Sequence, residues 1–372
     1  MRRIIIFLAV LMLVGFAGCT AEVSSSGKNN GSGTGSEWTI TSNGISIEGA
    51  LLKYTSEVSV MNKAVTITGK ENQNNYKGVF IDGRTVTLSP FIMSKYEVTQ
   101  ELYAAVMTNQ TVTVGDTEYT LSSTPFNCKA TGDYPLVNGE IQQYRAAEGM
   151  TWYDAVFFCN ALSKKTGLTK AYEITVITVN ESGNITNATV EIVSDSNGYR
   201  LPTEAEWEFA ARGGNPSKPD WDYTFSGAPT ASESDFDSRN NTAMDSIGWY
   251  WCNTLTGVTR NGRPSEGDSG YGVHQVAVRG QNSCNRLGIY DLSGNVYEWC
   301  YDLYADLIPT GTFTNPTGPD SSETSRVIRG GSWGAYADEC TVCYRNSSLP
   351  DPREEPTACG DDLGFRVVRK AN

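Results

Sequence analysis

The sequence predicts an α+β domain with few short helices, many short strands and long loops. Three observations lead to this class. Helix signals are sparse and short, alternating apolar and polar residues recur along the chain, and the 372 residues include 37 Gly, 19 Tyr and 8 Trp. Aromatic side chains of this abundance can anchor irregular backbone. No period of 20 to 50 residues repeats, so a solenoid or propeller is disfavoured.

The amino-terminal residues have the pattern of an export signal. Two arginines precede an apolar run over residues 4–14, and small residues then lead to Cys19. The run is too short to cross a bilayer comfortably, so we predict a cleaved signal peptide over residues 1–18. The stretch Phe16–Cys19 resembles a bacterial lipobox, in which Cys19 would be acylated; a plain secreted protein is the alternative. Residues 19–37 are rich in Ser, Gly and Asn and predict a flexible tether.

The domain is expected over residues 38–372 and begins with short strands. Alternating patterns predict strands over 58–68 and again over 78–86. Between Ala171 and Ser194, two β-rich runs flank Asn180–Gly183, which predicts a hairpin.

Three helices are predicted from their caps and apolar spacing. The first covers Gln100–Met107, with Thr99 as its N-cap. The second runs from about Thr151 to a C-capping glycine at position 167. The third covers Ala205–Arg212 after the capping-box pattern Thr203–Glu206. After Gly214 only short strands and long loops are expected.

Charge and composition exclude several functions. Lys plus Arg number 29 against 42 Asp plus Glu, a net charge of −13, so the chain lacks the basic footprint that a nucleic-acid partner needs. The single histidine, His274, argues against a His-rich metal centre and against a triad with histidine as base. Eight cysteines besides Cys19 could form disulfides in an exported chain or remain as buried free thiols; their pairing is not readable from the sequence.

Four ordered segments carry a family likeness. They are Tyr96–Thr99, Gly198–Glu208, Gly288–Trp299, and the pair Arg329–Trp333 with Leu363–Arg366. Together they resemble the formylglycine-generating enzyme, or sulfatase-modifying factor, family. The resemblance implies a single irregular domain related to the C-type lectin fold. Most of these residues are expected to be scaffold, with glycines where a Cβ would block tight backbone.

The family resemblance also implies a calcium site. By position its ligands would be the side chains of Asp291 and Glu298 and the carbonyls of Gly294 and Val296, and calcium takes six to eight such oxygens. The alternative for Glu298 is a buried, hydrogen-bonded carboxylate without metal.

The catalytic pair of the family is broken in this sequence. The enzymes oxidise a substrate cysteine with two copper-binding cysteines five positions apart, and soft sulfur ligands suit Cu(I). Cys340 stands at the first position, but Arg345 stands at the second, and arginine supplies no thiolate. We therefore expect no copper. Cys343 forms a C-x-x-C pattern with Cys340, which predicts packing or a disulfide, with metal binding or redox chemistry as alternatives.

The segment 334–362 is predicted to display a ligand-binding surface. It is a proline-interrupted, non-periodic stretch between two scaffold motifs, and it resembles the carboxy-terminal display region of the variable proteins of diversity-generating retroelements. Tyr336 is the expected anchor. The candidate ligand-binding residues are Gly334, Ala335, Tyr336, Asp338, Glu339, Ser347, Ser348, Leu349, Asp351, Arg353, Glu354 and Glu355.

The sequence thus predicts an exported protein anchored by lipid at the outer membrane or cell surface. Its domain would bind a protein or glycan ligand without catalysis. The alternatives are a formylglycine-generating oxidase, using Cys340 with Cys343 or with no partner, and an inert structural lipoprotein of the envelope.

Overall fold

The structure is a computed structural model. It describes residues 41–42, 45–46, 57–61, 63–69, 78–131, 133–137, 139–228, 241–254, 270–277, 283–318, 324–345 and 353–371. The predicted signal peptide, Cys19 and the tether lie outside these residues, as do Ser347, Ser348, Leu349 and Asp351.

Short strands dominate the described part of the chain. In chain order they are β1 (Thr41–Ser42), β2 (Ile45–Ser46), β3 (Glu57–Ser59), β4 (Val65–Thr68), β5 (Arg84–Leu88), β6 (Phe91–Ser94), β7 (Thr111–Val114), β8 (Thr117–Thr120), β9 (Tyr172–Val179), β10 (Ile185–Ile192), β11 (Tyr297–Leu303), β12 (Gly311–Thr314), β13 (Arg326–Arg329), β14 (Arg353–Glu354), β15 (Leu363–Gly364) and β16 (Val368–Lys370).

The helices are few and short. They are α1 (Gln100–Met107), α2 (Trp152–Lys165), α3 (Glu204–Ala211) and α4 (Thr242–Ile247), with 3-10 turns at Gln142–Tyr144 and Pro219–Asp222. Within the described ranges, no helix is long and apolar enough to cross a membrane.

The strands form several small sheets instead of one large one. A four-stranded sheet has the order β14-β13-β11-β15, and two three-stranded sheets have the orders β12-β5-β4 and β16-β6-β3. The pairs β9-β10 and β7-β8 are antiparallel hairpins. In the four-stranded sheet β11 runs antiparallel to β13 and parallel to β15, with Glu298 opposite both Arg329 and Gly364. The segments Gly288–Trp299, Arg329–Trp333 and Leu363–Arg366 therefore meet on strand β11.

The helix predictions are confirmed, with small shifts of boundary. Thr99 Oγ1 accepts from the backbone of Leu102 at the start of α1. Capping boxes start α2 and α3, at Thr151 and Thr203. The hairpin predicted around Asn180–Gly183 is also present.

Two local expectations were wrong, and one element had not been predicted. The second predicted strand starts at Arg84, not Gly78, because Asp82 and Gly83 form a turn before it. A short helix, α4, interrupts the region expected to hold only strands and loops; its N-cap, Asn241, accepts from two backbone amides of the first turn. The hairpin β7-β8 was not anticipated, although Gly115 supplies the positive φ of its turn.

Aromatic side chains fill the core. One cluster is built around Trp152, Trp299 and Phe158, and a second around Trp207 and Phe209. Stacked and edge-on ring pairs join α1, α2 and the carboxy-terminal motif, as in Tyr103 against Phe158 and Phe158 against Phe365. The α+β class with sparse helices and irregular connections is confirmed.

Candidate ligand-binding surface

A buried ion pair links strand β11 to the carboxy-terminal motif. Glu298 and Arg366 are both fully buried. Arg366 donates from Nη2 to Glu298 Oε1 at 2.6 Å and from Nε to Oε2 at 2.7 Å, and Trp207 Nε1 donates to the same Oε2 at 2.7 Å. Because both carboxylate oxygens have charged or aromatic donors, this pair locks the last motif onto the centre of the sheet.

A second buried arginine holds the backbone of the segment that precedes position 345. Arg329 donates to the carbonyls of Val342 at 3.0 Å and Tyr344 at 2.9 Å, and to Glu208 Oε2 at 2.7 Å. Its guanidinium lies 4.9 Å from the centre of the Trp207 ring. The course of residues 342–345 is therefore set by the scaffold motifs.

Two of the residues predicted to bind calcium already accept hydrogen bonds from other groups in this arrangement. Both oxygens of Glu298 are taken by Arg366 and Trp207, and Asp291 Oδ2 accepts from the amide of Ala277 at 2.7 Å. Burial, with the charges of Asp291 and Glu298, raises the pKa of nearby Glu97 well above its ordinary value. The cation that balances Glu298 is a guanidinium. Calcium at these residues remains a prediction.

Cys340 lies in the core. Its side chain is fully buried, and a Cβ on Gly331, whose φ is +73°, would lie 2.5 Å from its sulfur. Burial raises the pKa of the Cys340 thiol well above its usual value, and the charges of Glu339 and Asp338 raise it further; a thiolate at half-buried Cys252 would act in the same direction. The Cys340 thiol therefore lies in the protein interior, among groups that disfavour its thiolate.

The side chain of Arg345 is buried and forms an ion pair with Glu204. Its side chain is about 5% exposed, its Nε donates to Glu204 Oε1 at 2.5 Å, and its Nη1 donates to the carbonyl of Ala305 at 3.0 Å. Burial alone would lower the pKa of Arg345, but the Glu204 carboxylate more than offsets that effect. The donor set at positions 340 and 345 therefore does not fit a copper-binding thiol pair.

The described cysteines are free thiols. Cys128, Cys159, Cys284, Cys300, Cys340 and Cys343 are buried, Cys252 is half-buried and Cys359 is exposed. The disulfide suggested for Cys340 with Cys343 is not formed. No cluster of three or more histidine, cysteine or acidic side chains suited to a metal occurs in the described ranges.

Two half-buried aromatic rings lie side by side next to this core. Trp251 and Tyr336 have ring centres 6.4 Å apart, and the amide of Trp251 donates to the carbonyl of Ala335 at 2.8 Å. Gly334 lies beside Trp251 and Asp362: a Cβ there would be 4.0 Å from both the Trp251 ring and Asp362 Oδ2. The two segments therefore present adjoining apolar rings at the surface.

A second aromatic group adjoins the first through Asp361 and Asp362. Tyr134 stacks on Tyr271 with ring centres 5.4 Å apart, and Tyr271 packs edge-on against Trp333 at 4.7 Å. The hydroxyl of Tyr134 donates to Asp361 Oδ2 at 2.7 Å. We call the half-buried residues of both groups the aromatic surface; they are Trp251, Gly334, Tyr336, Tyr134, Tyr271, Asp361 and Asp362.

Two carboxyl groups have raised pKa values, Glu339 near the aromatic surface and Asp362 within it. Burial raises the pKa of Glu339 to about 7, against the hydrogen bond from the hydroxyl of Tyr297 at 3.1 Å. Burial likewise raises the pKa of Asp362 to about 6, although Ser332 Oγ donates to its Oδ2 at 2.9 Å. The negative charge beside the rings therefore increases between about pH 6 and pH 7.

The structure divides the predicted ligand-binding residues into different environments. Gly334, Tyr336 and Asp338 are half-buried, whereas Ala335 and Glu339 are buried. This corrects the expectation that the whole stretch is a surface loop, because the Arg329 contacts and the core position of Cys340 draw it inward. Arg353 and Glu354 form strand β14 at a sheet edge beside Arg326, and exposed Glu355 accepts from Thr324 and Ser325.

Sequence reasoning missed five members of the aromatic surface, which are Trp251, Tyr134, Tyr271, Asp361 and Asp362. Trp251, Tyr134 and Tyr271 come from loops far from residue 334 along the chain, and Asp362 lies at the edge of a motif that was treated as scaffold. Their contacts with the 332–336 segment are tertiary. The only available signal was the number of aromatic residues in loops, which does not tell which rings meet.

Comparisons with known proteins agree with this architecture. Residues 45–371 match the family described as the sulfatase-modifying factor enzyme 1-like domain. The chaperone protein LppX of Paenibacillus barcinonensis is 31% identical over 379 residues, which cover 99% of each chain. The formylglycine-generating enzyme of Thermomonospora curvata is 28% identical over 303 residues, covering 77% of this chain and 84% of that protein.

A solved structure matches as well. Treponema denticola variable protein 1 has a TM-score of 0.57 and 28% identity, and the match covers 85% of this chain and 99% of that one. Both resemblances drawn from the motifs are therefore confirmed. By the match over residues 45–371, this chain belongs to the sulfatase-modifying factor family.

Proposed function

We propose that this protein is an exported lipoprotein whose domain binds a polypeptide on the aromatic surface and does not oxidise cysteine. The observation that carries the proposal is the pairing of Trp251 and Tyr336, two half-buried rings brought together from separate segments. Large, rigid aromatic side chains bury much area at small entropic cost, which suits them as binding anchors.

The environments of Cys340 and Arg345 support the proposal that the protein does not oxidise cysteine. Cys340 is a buried thiol with a raised pKa, and Arg345 is paired with Glu204 in the interior. Oxidation of a substrate cysteine by the family's chemistry needs two thiolates at one point in space. The chain keeps the fold of the enzymes without that pair.

A polypeptide ligand is favoured over a glycan by two facts. A relative that aligns with 99% of this chain is named a chaperone protein, and chaperones act on polypeptides. The net charge of −13, with acidic groups at the aromatic surface, favours a neutral or basic polypeptide. Tyr336 would act as the anchor, with Asp338 and Asp362 orienting the ligand.

The lipid anchor rests on the residues that precede the domain. The apolar run over residues 4–14 and the lipobox-like stretch ending at Cys19 support export and acylation. Expression in a bacterial host with a labelled fatty acid tests this. We expect label on the membrane-bound protein and its loss, with release from membranes, in Cys19→Ser. An unlabelled wild-type protein would overturn the anchor without affecting the binding proposal.

Polypeptide capture is tested with reduced, carboxamidomethylated lysozyme, an unfolded basic chain, on immobilised protein. We expect the double variant Trp251→Ala/Tyr336→Ala to lose at least tenfold in affinity. The matched control is Ile177→Ala/Ile192→Ala, which removes two exposed apolar side chains from the β9-β10 hairpin and is expected to bind normally. Equal capture by the folded double variant would remove this surface from the proposal, and selective binding of glycans instead would overturn the polypeptide ligand.

The oxidase and inert-lipoprotein alternatives give other outcomes. An oxidase would form aldehyde on a cysteine-containing peptide in the presence of copper and would lose that activity in Cys340→Ser. An inert protein would show neither aldehyde formation nor capture. We expect capture without aldehyde.

A further inference from the structure

Three carboxyl groups in or beside the aromatic surface have no paired cation. Asp361, Asp362 and Glu339 take part in none of the ion pairs that the described residues form with one another. The scaffold treats its carboxylates differently, as in the pair of Glu298 with Arg366. The described part of the fold thus supplies no ion-pair partner to the acidic groups of this surface.

The two aspartates are fixed in position and keep hydrogen-bonding capacity. Ser332 Oγ donates to Asp362 Oδ2 at 2.9 Å, and the hydroxyl of Tyr134 donates to Asp361 Oδ2 at 2.7 Å. Trp333 Nε1 donates to the carbonyl of Asp361 at 3.2 Å, which holds the backbone. A carboxylate can accept roughly four hydrogen bonds, and both side chains are half-buried, so a ligand donor can reach them.

The carboxyl groups also act on one another. Burial is the main cause of the raised pKa of Asp362, and the charge of Asp361 raises it further. Burial likewise raises the pKa of Glu339 most, and the charges of Asp338 and Asp362 add to that effect. Like charges in proximity oppose ionisation, and a bound cation would offset this repulsion.

An aromatic ring and a carboxylate border the same position beside Gly334. A Cβ on this residue would lie 4.0 Å from the Trp251 ring, 4.0 Å from Asp362 Oδ2 and 3.8 Å from Ser332 Oγ. Because glycine has no side chain, a ligand group above Gly334 can contact the ring and the carboxylate together. A cation is attracted by an aromatic ring within about 6 Å and donates charge-assisted hydrogen bonds to a carboxylate. An anion would be repelled by the same carboxylates.

We propose that the aromatic surface selects polypeptides through a cationic side chain, lysine or arginine, whose charged end lies between Trp251 and Asp362 above Gly334. The inference rests on the proposed function, because it names the side chain that this surface recognises in a bound polypeptide. The net charge of −13 attracts basic chains at long range. The position above Gly334 adds a local preference that depends on one carboxylate and one ring.

Three matched peptides test the preference on the full chain. The first is an unstructured peptide of Gly, Ser and Leu with lysine at fixed positions, and the other two carry glutamine or glutamate there. Binding is measured by fluorescence anisotropy in slightly alkaline buffer, where Asp362 is ionised. We expect the lysine peptide to bind at least tenfold more tightly than the glutamine peptide, and the glutamate peptide to bind most weakly.

A pair of variants assigns the preference to this position. Asp362→Asn removes the charge and keeps an oxygen that accepts from Ser332. The matched control is Asp306→Asn, which makes the same change in net charge at an exposed aspartate outside the aromatic surface. The ratio of the affinities for the lysine and glutamine peptides should fall close to one in Asp362→Asn and stay at least tenfold in Asp306→Asn.

The outcomes separate this inference from the proposed function. Equal affinity of the wild type for the lysine and glutamine peptides overturns the inference, and so does an affinity ratio that changes equally in both variants. If unfolded lysozyme is captured without a preference for lysine, polypeptide binding stands and the cation site fails. If the folded variant Trp251→Ala/Tyr336→Ala captures lysozyme as the wild type does, both proposals fail.

Discussion

Arg345 donates to Glu204 in the interior of the domain, 141 positions apart along the chain. The pair joins the carboxy-terminal segment to the first turn of α3. The residue that stands where the family resemblance predicts a second catalytic cysteine thus forms a buried ion pair and lines a cavity. Arginine at this position supplies a cation that stabilises a buried carboxylate, and no thiol.

Removing Arg345 is expected to destabilise the fold. Arg345→Ala leaves Glu204 buried with only the more distant Arg329, which we expect to cost about 3 kcal/mol of the free energy of unfolding. Urea unfolding measures this. The control Lys170→Ala breaks an exposed pair with Glu173 and should cost less than about 1 kcal/mol. Equal stability of the two variants would contradict the buried pair.

Two glycines close together in the chain are expected to differ in how much an alanine substitution destabilises the fold. Gly331 has a φ of +73°, and its new Cβ would meet the sulfur and backbone of Cys340, so Gly331→Ala should cost on the order of 3 kcal/mol. Gly334 has its nearest neighbours 3.8 to 4.0 Å from the same position, so Gly334→Ala should change stability by less than about 1 kcal/mol. Thermal unfolding of both variants checks the contrast; a tolerant Gly331 would show that Cys340 does not pack there.

The larger substitution Gly334→Arg offers a separate test of the aromatic surface. Because a Cβ at Gly334 would make only ordinary van der Waals contacts with Trp251, Asp362 and Ser332, the long side chain should cover the surface without unfolding the domain. We expect polypeptide capture to fall at least tenfold while the circular dichroism spectrum is unchanged. Normal capture by this variant would place the ligand elsewhere.

Stability should depend on pH through Glu339. Its pKa is raised by burial from an unfolded value near 4.5 to about 7 in the folded state, so the folded state holds the proton more tightly. The contribution to stability is present below about pH 4.5 and is lost as the pH rises to about 7. Between pH 4.5 and 7 the wild type should therefore lose on the order of 2 kcal/mol of its free energy of unfolding through this group. The variant Glu339→Gln should not show that loss. Urea unfolding from pH 4.5 to 8 measures it, and identical slopes for both proteins would contradict the raised pKa.

Thiol reactivity should follow exposure. Cys359 is exposed, whereas Cys340, Cys300 and Cys159 are buried with raised thiol pKa values. In the native protein Cys359 should react with iodoacetamide first and half-buried Cys252 more slowly, and the buried thiols only after unfolding. Peptide mapping by mass spectrometry gives the order. Labelling of Cys340 as fast as Cys359 would mean that its thiol reaches solvent as an enzyme's would.

Several features of the fold could be read directly from local sequence. Three threonines, Thr99, Thr151 and Thr203, cap helices by accepting from a backbone amide three positions further on. The atoms that bind are therefore close whatever the rest of the chain does. The Asn180–Gly183 hairpin is local in the same way. The six-residue helix α4 was missed because its apolar pattern is too short to stand out from the loops around it.

The candidate site was predictable only in part. Arg345 marks the broken catalytic pair by its position alone, and Tyr336 is found half-buried at the surface. That Ala335 and Glu339 turn inward depends on contacts of Arg329, Tyr297 and Gly331 with their segment, none of which spacing reveals. The display of Ser347, Ser348, Leu349 and Asp351 remains a prediction outside the described residues.

The amino-acid sequence alone determined the family resemblance and the helix caps. It also showed that position 345 carries an arginine where the resemblance predicts a cysteine. The tertiary structure decided where the Arg345 guanidinium goes, which loop aromatic ring joins Tyr336, and that Arg84 and Arg345 line the same cavity. The physical reason is that caps and motif spacings act over a few residues. Ion pairs, ring contacts and cavities instead join groups that folding brings together from distant parts of the chain.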